Sequence, residues 1–121
     1  MAASAKSDRD LEKRILSLSH VARRKSRWGH NVAYAVGGRE FVHFHTEYEF
    51  DIRLTRGYQK KYVRLIRFDP RVRFRARPSE WIVFKLASQD DLTAALELIR
   101  LAWEANLSEA VARKAGARRC R

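Results

Sequence analysis

Cysteine is nearly missing: the 121 residues hold one, Cys120, next to the last position. A single thiol excludes an intramolecular disulfide and any cysteine-built metal cluster, and it fits a reducing, cytoplasmic setting. No apolar run approaches the roughly 18 residues of a membrane span. The opening Met1–Asp8 lacks the apolar stretch of a Sec-type signal peptide. There is no phosphate loop, no dinucleotide fingerprint and no G-x-S-x-G nucleophile elbow. No RNP, KH, zinc-finger or helix-turn-helix pattern is visible, and no internal repeat.

What is present is basic. The formal net charge is +12, and it is unevenly spread. Residues 1–30 carry eight Lys/Arg against three acids, residues 108–121 five against one, and residues 31–107 thirteen against ten. The excess therefore lies in the ends, where it attracts polyanions without specificity. Hydrophobic residues make up 45%, enough for one globular domain of this length. The expected organisation is a disordered tail at 1–6, one α+β domain at 7–107 and a basic C-terminal tail at 108–121, helical or disordered.

Periodicity predicts the order α-β-β-β-α-β-β-α, an antiparallel sheet of about five strands with helices packed on it. Ser7-x-x-Asp10 reads as a capping box. Leu11, Ile15, Leu18 and Ala22 then follow at helical spacing, and Arg23-Arg24-Lys25 close the last turn. Asn31–Val36 and Arg39–His45 read as strands joined by Gly37-Gly38, a type I′ hairpin signal. Glu49–Leu54 reads as the third strand. Thr55 caps a helix to about Phe68, with Tyr58, Tyr62, Leu65 and Ile66 as its apolar positions, stopped by Asp69-Pro70. Arg71–Arg77 alternates strictly and reads as an edge strand whose arginines block aggregation or touch phosphates. Trp81–Leu86 is nearly all apolar, which predicts a central strand covered on both faces. Ser88-x-x-Asp91 caps a last helix bearing Leu92, Ala95, Leu96, Ile99, Ala102 and Trp103. Trp81 and Trp103 are expected in the core.

The chemistry gathers on the second hairpin. His43 and His45 share one strand face, because side chains alternate. Keeping apolar opposite apolar pairs Phe44 with Phe50 and Val42 with Ile52. The same register sets His43 beside Asp51 and His45 beside Glu49, with Arg53 nearby. The turn Thr46-Glu47-Tyr48 lacks the glycine such turns prefer. Three chemistries fit: a divalent metal on His43, His45 and Asp51; a general base formed by His43 with Asp51 orienting it; and an anionic or phenolic ligand held by His45 and Arg53. Tyr34, Tyr48 and Trp28 are candidates to border the site, with Tyr48 and Trp28 as ligand contacts. Polar cross-strand pairing without function is the plain alternative.

Four segments resemble a known family: Gly38-Arg-Glu-Phe-Val-His-Phe-His45, Asp51-Ile-Arg-Leu-Thr-Arg56, Arg77-Pro-Ser-Glu-Trp81 and Leu96-Glu-Leu-Ile-Arg-Leu-Ala102. Together they are similar to the luciferase-like domain of fungal luciferases and of many small bacterial proteins of unknown function, over about residues 28–106. The resemblance implies that His43, His45, Asp51 and Trp81 lie on the family pattern. Glu49 does not, and Arg53 stands where members vary. It also implies oxidation of a pyrone-type substrate by dioxygen without a tightly bound cofactor, an activity that a shared domain does not transfer by itself. Two readings of function stand side by side. One is a small-molecule-binding domain, with or without enzymatic oxidation, no resident cofactor and at most a weak divalent metal. The other is a nucleic-acid or protein interaction module using the basic ends and the arginine ladder.

Overall fold

The structure, a computed structural model, describes residues 5–25, 32–46 and 48–119. Helix α1 (Ala5–Leu16) is followed by strands β1 (Val21–Lys25), β2 (Val32–Val36), β3 (Arg39–Phe44) and β4 (Glu49–Arg53). Two short helices, α2 (Arg56–Lys61) and α3 (Val63–Ile66), lead to β5 (Val72–Phe74) and β6 (Trp81–Lys85). A single 3-10 turn at Gln89–Asp91 opens the long helix α4 (Leu92–Arg119). The six strands form one sheet in the order β1-β2-β3-β4-β6-β5, with every neighbouring pair antiparallel. The fold is α+β, as the periodicity predicts.

Helix α4 lies across β2, β3 and β4, and α1 packs beside it. Between helices and sheet sits one core that includes Leu11, Ile15, Val36, Phe41, Val42, Phe50, Ile52, Ile82, Phe84 and Ile99. Phe44, Phe50 and Phe84 run across three strands, with ring centroids 4.8 and 5.6 Å apart, a cross-strand ladder that stiffens this face. Asp91 starts α4 as expected: its carboxylate accepts from the Ser88 and Ala87 backbone N–H groups, at 2.9 and 2.8 Å.

Six strands replace the expected five because the first helix ends early. The helix is already formed at Ala5, before Ser7, and stops at Leu16. Ser17 Oγ donates to the Arg14 carbonyl and His20 turns the chain at φ 62°. Val21 then pairs with Val36, so Arg23, Arg24 and Lys25 lie along a sheet edge and not in a helical turn. Pairing satisfies the β2 backbone, which a longer helix would leave as an open edge. The expected helix from Thr55 to Phe68 breaks at Tyr62 (φ −109°, ψ 26°), and Leu65 is exposed while Ile66 is buried.

Strand β6 is one position in from the edge, and its outer face is covered only in part, at Val83. Ile82 and Phe84 enter the core, Trp81 is half-buried and Lys85 is exposed on the opposite face. Strand β5 pairs over three residues only and forms the edge. The segment after Leu107, expected as a tail, carries on as helix to Arg119. Ala110 on that extension is buried.

The β2–β3 hairpin turns at Gly37 and Gly38 with φ of 58° and 82°, the left-handed values of a type I′ turn. A Cβ on Gly37 would come within 2.7 Å of the Ala110 Cβ, whereas one on Gly38 would meet nothing within 4 Å. Both Gly→Ala changes force an alanine into left-handed backbone, at about 1–2 kcal/mol each. Gly37→Ala is expected to cost more than Gly38→Ala in urea unfolding. That excess should shrink when Ala110→Gly is added; an unchanged excess would place Ala110 away from the turn.

Candidate functional site

The expected register holds. Val42 faces Ile52, His43 faces Asp51 and Phe44 faces Phe50. The turn closes without glycine because the Thr46 hydroxyl accepts from the Tyr48 and Glu49 N–H groups, at 3.1 and 3.0 Å. Val42, Phe50 and Ile52 thus enter the core, and His43 and Asp51 are turned to the sheet face away from α4.

A bulge then alters what strict alternation would give. Ala33 pairs with His43 and Tyr34 with Val42, but Ala35 pairs with Glu40, so β3 spends one residue more than β2. Ala33 and Ala35 share a face. Glu40 and His43, three residues apart, therefore share it too. Arg24 on β1 reaches Glu40 at 3.3 Å. Phe41 and Val42, adjacent in sequence, are both fully buried.

Asp51 is the centre of the site, with 1% of its side chain exposed. Its Oδ2 accepts from His45 Nε2 at 2.9 Å and from an Arg75 guanidinium N–H at 2.8 Å. His43 Nδ1 stands 3.6 Å from the same oxygen, too far for a good hydrogen bond. Among the described residues, His43 Nδ1 and Asp51 Oδ1 are buried without a hydrogen-bond partner. The His43 ring stands edge-on to Trp81, centroids 5.8 Å apart, and 5.0 Å from the His45 ring.

Burial holds the His43 imidazole below its ordinary pKa; His45 and Arg75 push the same way, and Asp51 and Glu40 oppose. His43 is therefore neutral near pH 7, with a lone pair to offer. Asp51 thus grips His45 where His43 was the expected partner, and His43 Nδ1 stays uncommitted. His43, His45 and Asp51 each offer a donor atom within 4.8 Å of the others, a set of the type that holds a divalent cation. The Arg75 guanidinium already neutralises Asp51 Oδ2, and a cation would have to compete with it; Asp51 Oδ1 is the oxygen left for one.

The other expected residues go elsewhere. Arg53 donates to Glu80 at 2.7 Å and lies 5.6 Å over the Trp81 ring. Tyr48 is exposed on the turn. Tyr34 lies on the core face against Phe44, with its hydroxyl pKa pushed up to about 12 by burial. Trp28 lies outside the described residues. Trp81, expected in the core, flanks His43 instead. Arg75 had been assigned only to an edge ladder. That ladder is largely engaged: Arg71 is bound by Asp69 and Asp91 at 2.9 and 3.0 Å, and Arg73 lies 3.7 Å from Glu49. Trp81 falls opposite Arg53 through the β4–β6 register, which the pattern of one strand does not show.

Residues 38–102 match the family model of the luciferase domain. The chain belongs to the luciferase-domain family. The match runs from the Gly38 turn to Ala102 on α4 and so includes β3, β4, β6 and every residue that meets Asp51. No curated protein and no solved structure matches the chain.

Two outcomes follow from this geometry. Arg75→Ala removes one partner of a buried carboxylate and should destabilise the fold by about 1–3 kcal/mol. Chemical denaturation of Arg75→Ala and Arg75→Lys separates the lost charge from the lost fork. Because the folded pKa of His43 is depressed, its contribution is complete above pH ~6.5 and is lost as pH falls through that value, by at most about 1.4 kcal/mol per pH unit for one group. Urea midpoints between pH 7.5 and 5.5 should fall less steeply in His43→Gln than in wild type; parallel slopes would remove His43 from this account.

Proposed function

We propose that this luciferase-domain protein binds a small anionic or aromatic molecule beside His43, and that His43 accepts a proton from it. The observation that carries the reading is a neutral, buried imidazole with an unsatisfied Nδ1, next to an aromatic wall and a fixed Asp51–His45–Arg75 triad. Buried polar atoms without partners are rare in stable folds, and each calls for a reason such as a catalytic role or a bound water or ion.

The chemistry follows from the environment of each group. A phenol or enol O–H placed against His43 gives its proton to the imidazole, which becomes a cation. The Asp51 carboxylate, 3.6 Å away, stabilises that cation, and His45 and Arg75 hold Asp51 in place. The resulting phenolate is electron-rich, which is the form oxidants attack. Oxidoreductase-type activity is the finer part of this proposal and rests on the family membership. No resident metal is proposed: Arg75 supplies the positive charge at Asp51 that a metal would otherwise bring, and any divalent cation there should bind weakly.

Thermal shift across a panel of phenols, hydroxypyrones and aromatic acids tests the reading. Ligands that stabilise wild type should lose at least about tenfold in affinity in His43→Asn, one lost hydrogen bond to a group that becomes charged. The same ligands should bind best between the His43 pKa and that of their own hydroxyl, and should weaken above the latter, because a free phenolate brings no proton to His43. Equal affinities in both proteins would defeat the proposal. Zn²⁺ or Fe²⁺ shifting the melting temperature by more than the ligands do would replace the metal-free version with a metal one.

A further inference from the structure

Beyond Trp81 lies a second feature, a hollow of about 360 Å³ lined by Arg24, Arg39, Arg53, Arg113, Glu40 and Trp81. We propose that this hollow is an oxyanion subsite that takes the carboxylate or phosphate group of a small molecule. It deepens the reading above, since Trp81 walls both the hollow and His43, and the same ligand would place its anion here and its ring against Trp81.

The charge count is the first argument. Four guanidinium groups border the hollow, and one carboxylate, Glu40, does. Glu80 and Glu109 stand behind: Glu80 takes Arg53 at 2.7 Å and Arg39 at 3.7 Å, and Glu109 takes Arg39 at 3.2 Å. Against these three carboxylates the four arginines leave one positive charge over. Arg113, on the α4 extension, has no ion pair among the described residues. Guanidinium is the side chain whose flat fork fits carboxylate and phosphate oxygens two at a time.

The second argument is how the arginines are held. Arg39 has only 10% of its side chain exposed and is held by Glu109, Glu80 and Asn106, so its guanidinium is fixed at the wall of the hollow. Burial and then the like charge of Arg53 lower the Arg39 pKa, with Arg113 adding to it. Asn106, fully buried on α4, fixes the pair. Its Oδ1 accepts from Arg39 Nε at 3.2 Å, and its Nδ2 donates to the Arg53 carbonyl at 2.7 Å. Asn106 is thus a positioning residue for two of the four cations. Gly38 also lines the hollow, and a Cβ there would meet open space, so the backbone leaves room for a ligand. The volume falls within the range of small-molecule sites, roughly 300–1,000 Å³.

Calorimetric titration of the full-length protein with inorganic phosphate, benzoate and the neutral isostere benzamide tests this. Phosphate or benzoate should bind at least about fivefold more tightly than benzamide, and Arg113→Gln and Arg53→Gln should each weaken the anion by about fivefold or more, the loss of one charge-assisted contact. Phosphate favoured over benzoate would assign a phosphate ester, and the reverse a carboxylic acid. Arg64→Gln, on exposed α3, should leave anion affinity within twofold, which separates the hollow from general basic attraction. His43→Asn should leave phosphate binding intact; an aromatic ligand that binds His43→Asn as tightly as wild type, with phosphate binding retained in both, would sink the reading of His43 and spare this one. Benzoate and benzamide binding alike, anion affinity equal in wild type and Arg113→Gln, or no anion binding at all would each show the arginines to be a structural ion-pair network and overturn the proposal.

Discussion

One buried carboxylate organises this molecule. A charge almost wholly removed from water is costly unless opposite charge and hydrogen bonds replace the lost hydration. Asp51 meets that cost with His45, just past the end of β3, and with Arg75, just past the end of β5. Three separate stretches of chain are thereby committed to one oxygen atom. The arrangement is also incomplete, because the second oxygen and the nearby His43 Nδ1 have no protein partner among the described residues. That combination, held firmly on one side and unsatisfied on the other, is what the proposed ligand site rests on.

The two faces of the sheet have opposite characters for a reason found in the strands. Phe44, Phe50, Ile52, Ile82 and Phe84 alternate with His43, Asp51, Trp81 and Val83, so the core contacts that stabilise the sheet also aim His43, Asp51 and Trp81 at the other face. The bulge in β3 adds to this. One additional residue brings Glu40 onto the face that His43 and Arg24 already share. Helix α4 serves both sides: its apolar stripe covers the core, and its buried Asn106 reaches the sheet end to hold Arg39 and Arg53.

Much of the hairpin chemistry was legible in the chain. The apolar pairing of Val42 with Ile52 and Phe44 with Phe50 left one sensible register, and that register alone placed His43 opposite Asp51. What escaped was anything set by non-neighbouring strands. Trp81 reads as core because it opens an apolar run, yet it falls opposite Arg53 on the polar face. Arg75 reads as one rung of a solvated ladder, yet the chain bends after three paired residues and returns it to Asp51. The first helix continues on periodicity to Ala22, yet an unpaired β2 edge draws Val21–Lys25 into the sheet.

Local pattern by itself determined the α+β class, the Gly37-Gly38 turn, the Asp91 cap of α4 and the two histidines with their opposing aspartate, because each depends on spacings of a few residues and on hydrophobic sorting between two adjacent strands. Tertiary structure alone decided which histidine Asp51 grips, which arginine neutralises it, and that four arginines from β1, β3, β4 and α4 border one hollow. Those outcomes depend on strand order, on a one-residue bulge and on the length of a helix. Such long-range geometry is set by how all the elements pack together, and no short stretch of sequence carries it.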